Sequence, residues 1–244
     1  MEHWEALTPG GYRFVYNDVL FRPGTDTFLL SSLPRLKAGL RVCDLGCGTG
    51  LLGLLLLQRQ PSLSVTGLDI QPDAIRLAKQ AAVENQLENR LTFHLADLRQ
   101  AASLFPSGSF DLVVCNPPYY PPAAGALAAD GVRRTARAEV FCTLEDICRS
   151  AAYLLRWGGN FCLVHKPERL ADVICLLREA ALEPKRLRLV CAAAGAAPSL
   201  LLIEGRRGGR PGLSLEPPLI LRQPDGAPTA EVESIYFRQQ EDMP

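Results

Sequence analysis

At 244 residues, 48% of them apolar, the chain has enough apolar material for one large core, alone or with a small addition. Lys and Arg total 26, as do Asp and Glu, which excludes a simple polycation, and the longest apolar runs fall far short of a membrane span. The N-terminal Met-Glu-His-Trp-Glu lacks a signal peptide's apolar stretch, so a cytoplasmic protein is expected. None of the eight cysteines falls in a Cys-x-x-Cys pair. Cys115, Cys162 and Cys175 lie in apolar stretches, as buried free thiols of a reducing compartment would. Cys43 and Cys47 have no histidine near them, and no metal is expected.

In chain order, Arg13 to Val15 and Val19 to Phe21 read as a short hairpin turning at Tyr16-Asn17-Asp18. Thr25 to Ser32 follows as a helix ended by Pro34. Leu40 to Asp44 is a strand, and Leu51 to Arg59 a helix closed by Pro61. Leu63 to Leu68 is a strand, and Pro72 to Glu84 a helix with proline suited to its first turn. Leu91 to Leu95 and Phe110 to Cys115 are strands, and Leu144 to Leu155 is a helix. Gly159 to His165 is a strand after a Trp-Gly-Gly turn, Glu168 to Ala181 a helix, and Leu187 to Ala192 and Leu200 to Glu204 the closing strands. Such alternation specifies an α/β fold with a mostly parallel sheet and helices on both faces. Ala123 to Ala129 and Arg206 to Gly212 are expected to be flexible.

Two motifs carry chemistry. In Val42 to Gly50 an apolar strand runs into a glycine turn, where Gly46, Gly48 and Gly50 let the backbone approach a ligand. Gly48-x-Gly50-x-x-Gly53 also satisfies the dinucleotide fingerprint. Asp44 argues against that: its carboxylate would repel a pyrophosphate and welcome a cationic amino-acid portion. Further on, Asn116-Pro117-Pro118-Tyr119 ends the strand from Phe110. The prolines donate no N–H, Asn116 adds an amide oxygen, and Tyr119 offers a stacking face. The combination suits a flat group bearing an NH2.

Together these motifs resemble the class I S-adenosylmethionine-dependent methyltransferases with an Asn-Pro-Pro-Tyr signature. Phe21-Arg-Pro-Gly-Thr-Asp-Thr-Phe-Leu-Leu30, Asn116 to Tyr120 and Arg133-Arg-Thr-Ala-Arg-Ala-Glu139 narrow the resemblance to the bacterial tRNA adenine-N6 methyltransferases that modify a valine tRNA, over roughly Tyr12 to Phe237. It implies a Rossmann-like seven-stranded sheet whose last strand is antiparallel, with S-adenosylmethionine as cofactor and tRNA or another RNA as partner. Residues 1–36 would form a hairpin-and-helix extension, and residues 37–244 the methyltransferase domain.

Ligands of open parallel sheets sit beyond the carboxyl ends of the strands, where Asp44, Asp69, Asp97 and Asn116 all fall. Asp69 can accept both ribose hydroxyls. Asp97 can accept from the cofactor's adenine amino group, with Ile70 and Leu98 packing its ring. Thr25 and Asp26 either face the methionine portion, as the family's upstream motif does, or simply cap their helix. Asn116, Pro117 and Tyr119 form the catalytic set. Tyr119, Tyr120, Arg133, Arg134 and Arg137 are candidates for touching RNA. Between Lys185 and Arg210, six basic residues accompany one acidic, a cluster expected to border the same end of the sheet or to be a solvated face. His3, His94 and His165 make no triad, and the two in strands suit core or edge roles. The alternatives are a ribosomal RNA or DNA adenine, a protein glutamine amide, a non-catalytic RNA- or cofactor-binding protein, and a dehydrogenase.

Overall fold

Short apolar strands separated by helices become the centre of a parallel sheet in the computed structural model, which describes residues 1–17, 24–119 and 142–237. β1 (Glu2–Ala6) and β2 (Arg13–Asn17) form a separate antiparallel hairpin. Then come α1 (Thr25–Ser32), β3 (Arg41–Leu45), α2 (Leu51–Arg59), β4 (Ser64–Asp69), α3 (Pro72–Glu84) and β5 (Leu91–Leu95). A 3-10 turn at Leu98–Gln100 leads through α4 (Ala101–Leu104) to β6 (Phe110–Cys115). The second half contains α5 (Leu144–Leu154), β7 (Leu155–His165), α6 (Leu170–Glu179), β8 (Leu182–Cys191), β9 (Pro198–Arg207), β10 (Ser214–Leu215), β11 (Leu219–Ile220) and α7 (Ala230–Ile235).

The strand order is β10-β8-β9-β7-β6-β3-β4-β5, with β11 also on β8. From β7 to β5 every neighbouring pair is parallel. β9 runs antiparallel to both β7 and β8, because a short loop joins β8 to β9 whereas parallel neighbours need a crossover. The seven longer strands are those of the expected sheet; the two-residue strands β10 and β11 add to its β8 side.

Side chains alternate across the sheet with the period of two that a strand imposes. Val42, Leu112 and Val114 enter one buried cluster, with α2 and α3. Cys43, Leu45, Val113 and Cys115 enter the other, with α5 and α6. All residues from Leu51 to Leu57 are buried, as expected of a helix covered on its far side as well; α1 supplies much of that cover. A reciprocal cap starts α5: Thr143 Oγ1 accepts from the Asp146 N–H (3.1 Å), and the Asp146 carboxylate accepts from the Thr143 N–H (3.0 Å).

Four expectations need correcting. β2 continues through Tyr16 and Asn17 and pairs with Glu2–Ala6, because Trp4 and Val15 face each other in register; Val19 to Phe21 lie outside the described residues. The Trp-Gly-Gly turn lies inside β7 as a bulge. Five residue steps from Leu155 to Asn160 face two from Phe110 to Leu112, so the extra residues loop outward. Arg206 and Arg207 belong to β9, and the following turn is tied by Gly208 N–H to the Ala181 carbonyl (3.0 Å). Cys175 is exposed on α6 although Cys115 and Cys162 are buried, because one helix side faces solvent. The Ala123 to Ala129 segment lies outside the described residues.

Candidate active site

Register brings the carboxyl ends of β3, β4, β5 and β6 to one edge: Leu45 lies opposite both Leu68 and Cys115, and Asp69 opposite Leu95. The glycine turn is stitched to this edge by the N–H groups of Gly46 and Cys47, which donate to the Leu68 carbonyl (2.8 and 3.0 Å). Gly46, Gly48 and Gly50 all have positive φ. A Cβ on Gly46 or Gly48 would meet only open space, whereas on Gly50 it would lie 2.6 Å from the Phe93 ring. The first two leave room for a ligand; the third lets the turn pack on β5.

Asp44 is 2% exposed, and its Oδ2 has no hydrogen-bond partner. Burial, and secondarily the charge of Asp69, push its carboxyl up to about 8. Asp69 accepts from the Gly48 N–H (2.8 Å) and the Gln71 N–H (2.9 Å), so it organises the glycine turn as well as facing the edge. Burial raises its pKa, against the lowering effect of those N–H groups. Asp97 caps the 3-10 turn through the Arg99 N–H (2.9 Å) and grips the Arg99 guanidinium, which holds its carboxyl below the usual range. Ile70 is 44% exposed at this edge, and Leu98 is partly buried.

Asn116 follows β6 directly. Its Nδ2 donates to Thr27 Oγ1 (2.9 Å), and its Oδ1 lies 3.1 Å from the Tyr119 hydroxyl. That hydroxyl also donates to the Asp26 carboxylate. A hydroxyl has one proton, and the carboxylate is the stronger acceptor, so Asn116 Oδ1 keeps capacity for another donor. Burial, and then Asp26, raise the Tyr119 pKa. Pro117 is buried and Pro118 exposed. Gly24, not Thr25 or Asp26, caps α1, with no side-chain hydrogen bond. Thr25 is exposed in the first turn and Asp26 is committed to Tyr119, so neither is the simple cap.

Three residues at the site were not among the candidates. Thr27 holds the Asn116 amide, and its signal is its place two residues beyond Thr25 in the same upstream stretch. His165 meets the Tyr119 ring edge-on at 5.5 Å, and Lys166 Nζ lies 5.0 Å from that ring's centroid. Both stand at the end of β7, the next parallel strand, where the strand-end rule would have found them. Burial, and secondarily Arg169, lower the His165 pKa to about 4, so the ring is neutral at pH 7. Its Nδ1 accepts from the Lys166 N–H (2.9 Å), which places the ring proton on Nε2. Tyr120, Arg133, Arg134 and Arg137 lie outside the described residues.

The Lys185 to Arg210 cluster is not at this edge. Leu182, the first residue of β8, pairs with Arg207, and Arg206 pairs with Asn160, itself opposite Leu112 near the amino end of β6, whereas Leu201 pairs with His165 at the site end. Most of the cluster therefore lies across the sheet from the glycine turn. Arg188 and Arg186 within it are paired with Glu231 and with Glu204 and Glu216.

This sheet order, with one antiparallel strand and a glycine turn leading to acidic strand ends, defines a class I S-adenosylmethionine-dependent methyltransferase. A family described as "Methyltransferase domain" matches residues 36–183, and the chain belongs to that family. Over 165 residues it is 32% identical to a tRNA1(Val) (adenine(37)-N6)-methyltransferase of Yersinia pseudotuberculosis, covering 65% of this chain and 64% of that protein. A Yersinia pestis protein of the same description matches equally well over 65% of its length. The chain thus spans a little under two thirds of these relatives.

Among solved structures, one described as a predicted O-methyltransferase from Agrobacterium tumefaciens superposes with a TM-score of 0.70 at 21% identity, covering 87% of this chain and 96% of that one. The geranyl diphosphate C-methyltransferase of Streptomyces coelicolor, solved with S-adenosyl-L-homocysteine, gives 0.53 at 12% identity, covering 70% and 72%. These likenesses establish the fold. S-adenosylmethionine is the cofactor, and the residues present fit it: a buried carboxylate oxygen without a partner, two glycines opening on free space and acidic groups at neighbouring strand ends.

Proposed function

We propose that this chain methylates the exocyclic N6 of an adenine in tRNA. The carrying observation is Asn116 at the end of β6, its amide nitrogen held by Thr27 and its oxygen left with acceptor capacity. The cofactor supplies an electrophilic methyl group. Asn116 Oδ1 and the Pro117 carbonyl accept from the target NH2, drawing the nitrogen toward tetrahedral geometry and localising its lone pair. No strong base is required, since the proton becomes acidic as nitrogen binds carbon; the rest is alignment. Tyr119, its hydroxyl anchored by Asp26, presents its ring to the base, which must leave any stack to enter.

In this proposal Asp44 faces the cofactor's ammonium group, with Thr25 and Asp26 at the methionine portion. Asp69 accepts from the ribose hydroxyls through lone pairs that Gly48 and Gln71 leave free. Asp97 accepts from the adenine amino group between Ile70 and Leu98. Residues 1–36 act as an extension whose α1 closes one wall, with residues 37–244 as the methyltransferase domain. Tyr120, Arg133, Arg134 and Arg137 contact the RNA, and the enzyme works in the cytoplasm. The activity for which the Yersinia relatives are named supports the choice of tRNA adenine. The test is mass spectrometry of nucleosides from bulk tRNA incubated with the protein and labelled cofactor. Labelled N6-methyladenosine is expected; label in added protein instead of RNA would favour a glutamine amide.

A further inference from the structure

The amino ends of the strands carry a cleft of about 470 Å³ that methyl transfer does not use. From Phe110 to Cys115 the sheet separates it from the Asn116 edge by roughly 17 Å, at ~3.3 Å per residue. Arg35, Lys37, Arg156, Lys185, Arg186 and Arg206 line it, against three carboxylates, Asp111, Glu204 and Glu216. Those acids are already engaged: Asp111 by Arg156 (2.5 Å) and Arg41 (3.8 Å), Glu204 and Glu216 by Arg186 (3.0 Å each). Among the described residues Arg35, Lys37 and Arg206 have no carboxylate partner. Arg206 and Arg156 converge on Gly158, whose Cβ position lies 3.5 Å from one guanidinium nitrogen and 4.0 Å from the other.

Beside them stands an aromatic group that the core does not take. Trp157 is 73% exposed on the β7 bulge. Its indole lies on Gly208, where a Cβ would come within 2.1 Å of the ring, so only glycine admits this approach. With that side against backbone, the rest of the ring faces solvent. Unpaired arginines would suit any polyanion. A supported, exposed indole next to them adds a flat apolar face, which an unpaired base can stack on and a phosphopeptide or acidic protein does not need.

We propose that this cleft binds a single-stranded segment of nucleic acid, with Arg206 and its neighbours on phosphates and Trp157 under a base. The proposal is independent of which amine is methylated. The chain has two tryptophans, so in a Trp4→Phe background all tryptophan emission reports on Trp157. Titration with a 12-nucleotide oligouridylate is expected to quench that emission, with affinity falling as salt rises; an oligothymidylate arm tells RNA from DNA as the source. Trp157→Ala, followed by anisotropy of the labelled oligonucleotide, should weaken binding about tenfold, and Arg206→Ala about fivefold. Cofactor affinity should be unchanged in both, which checks folding. Absence of quenching, affinity unchanged in both variants, or equal quenching by inorganic polyphosphate would overturn the proposal, whatever the tRNA methylation assay shows.

Discussion

With the cofactor's ammonium group placed as proposed, Asp44 couples charge to binding at the level of a single residue. In the free protein its carboxyl stays protonated up to about pH 8, held there by burial and by Asp69, whereas in the unfolded chain it ionises near pH 4. The folded state thus binds one more proton in that interval. The associated stability is complete below pH 4 and is lost as pH rises through 8. A cofactor ammonium beside Asp44 favours the ionised form, so binding near pH 7 should release a proton. Calorimetry in buffers of different ionisation enthalpy is expected to show that release, and affinity should rise with pH between 5 and 7, approaching tenfold per unit. Asp44→Asn should abolish both. In the proposed reaction Asn116 acts on the other reactant: Asn116→Ala is expected to leave cofactor affinity within a few-fold while turnover nearly vanishes. Turnover within about threefold of wild type, under ~1 kcal/mol of barrier, would contradict the role given to its amide oxygen.

The decisive element is the turn between β3 and α2. Gly50, with φ of +83°, sits against Phe93 and Ala78. Gly50→Ala combines a left-handed conformation costing about 1–2 kcal/mol with an overpacked contact costing about 1–3 kcal/mol. A fall in melting temperature of roughly 5–15 °C is expected for a domain of this size, read by differential scanning calorimetry. α1, α2, α3, β5 and β6 are legible in the sequence because proline, glycine and apolar period mark their ends locally. The hairpin partner of β2 is not, since strand pairing is a non-local choice: Arg13–Asn17 takes Glu2–Ala6 across a turn rich in threonine, proline and glycine. Nor were β10, β11 and α7 foreseen; the two-residue strands are defined by their hydrogen bonds to β8 rather than by any pattern of their own.

Across the whole molecule, zero net charge conceals an uneven distribution. Arg186 bridges Glu204 and Glu216 (3.0 Å each), and Glu204 is 6% exposed. Arg186→Met leaves that buried carboxylate unpaired, and about 3–5 kcal/mol of stability should be lost, seen as a lower urea midpoint at unchanged slope. Glu204→Gln added to it should recover much of the loss. For the proposed substrate, tRNA affinity should fall steeply with salt, and Arg133→Ala with Arg134→Ala should flatten the log–log slope by about 2 units, near 0.9 per phosphate contact. A salt-independent affinity, or an unchanged slope in the double variant, would point to a protein amide or another basic surface.

The sequence by itself determined the alternation of strands and helices, the glycine turn and the place of Asn116 at the end of β6, since each is written in neighbouring residues whose backbone demands are local. Tertiary structure decided what those residues meet. Thr27 reaches Asn116 across 89 positions, and Asp26 reaches Tyr119 across 93, because α1 packs beside the end of β6. The same assembly turned the Lys185 to Arg210 cluster away from the site. β9 runs antiparallel, so its carboxyl end, with Arg206 and Arg207, lies beside the amino end of β8, with Lys185 and Arg186, a direction that composition does not encode.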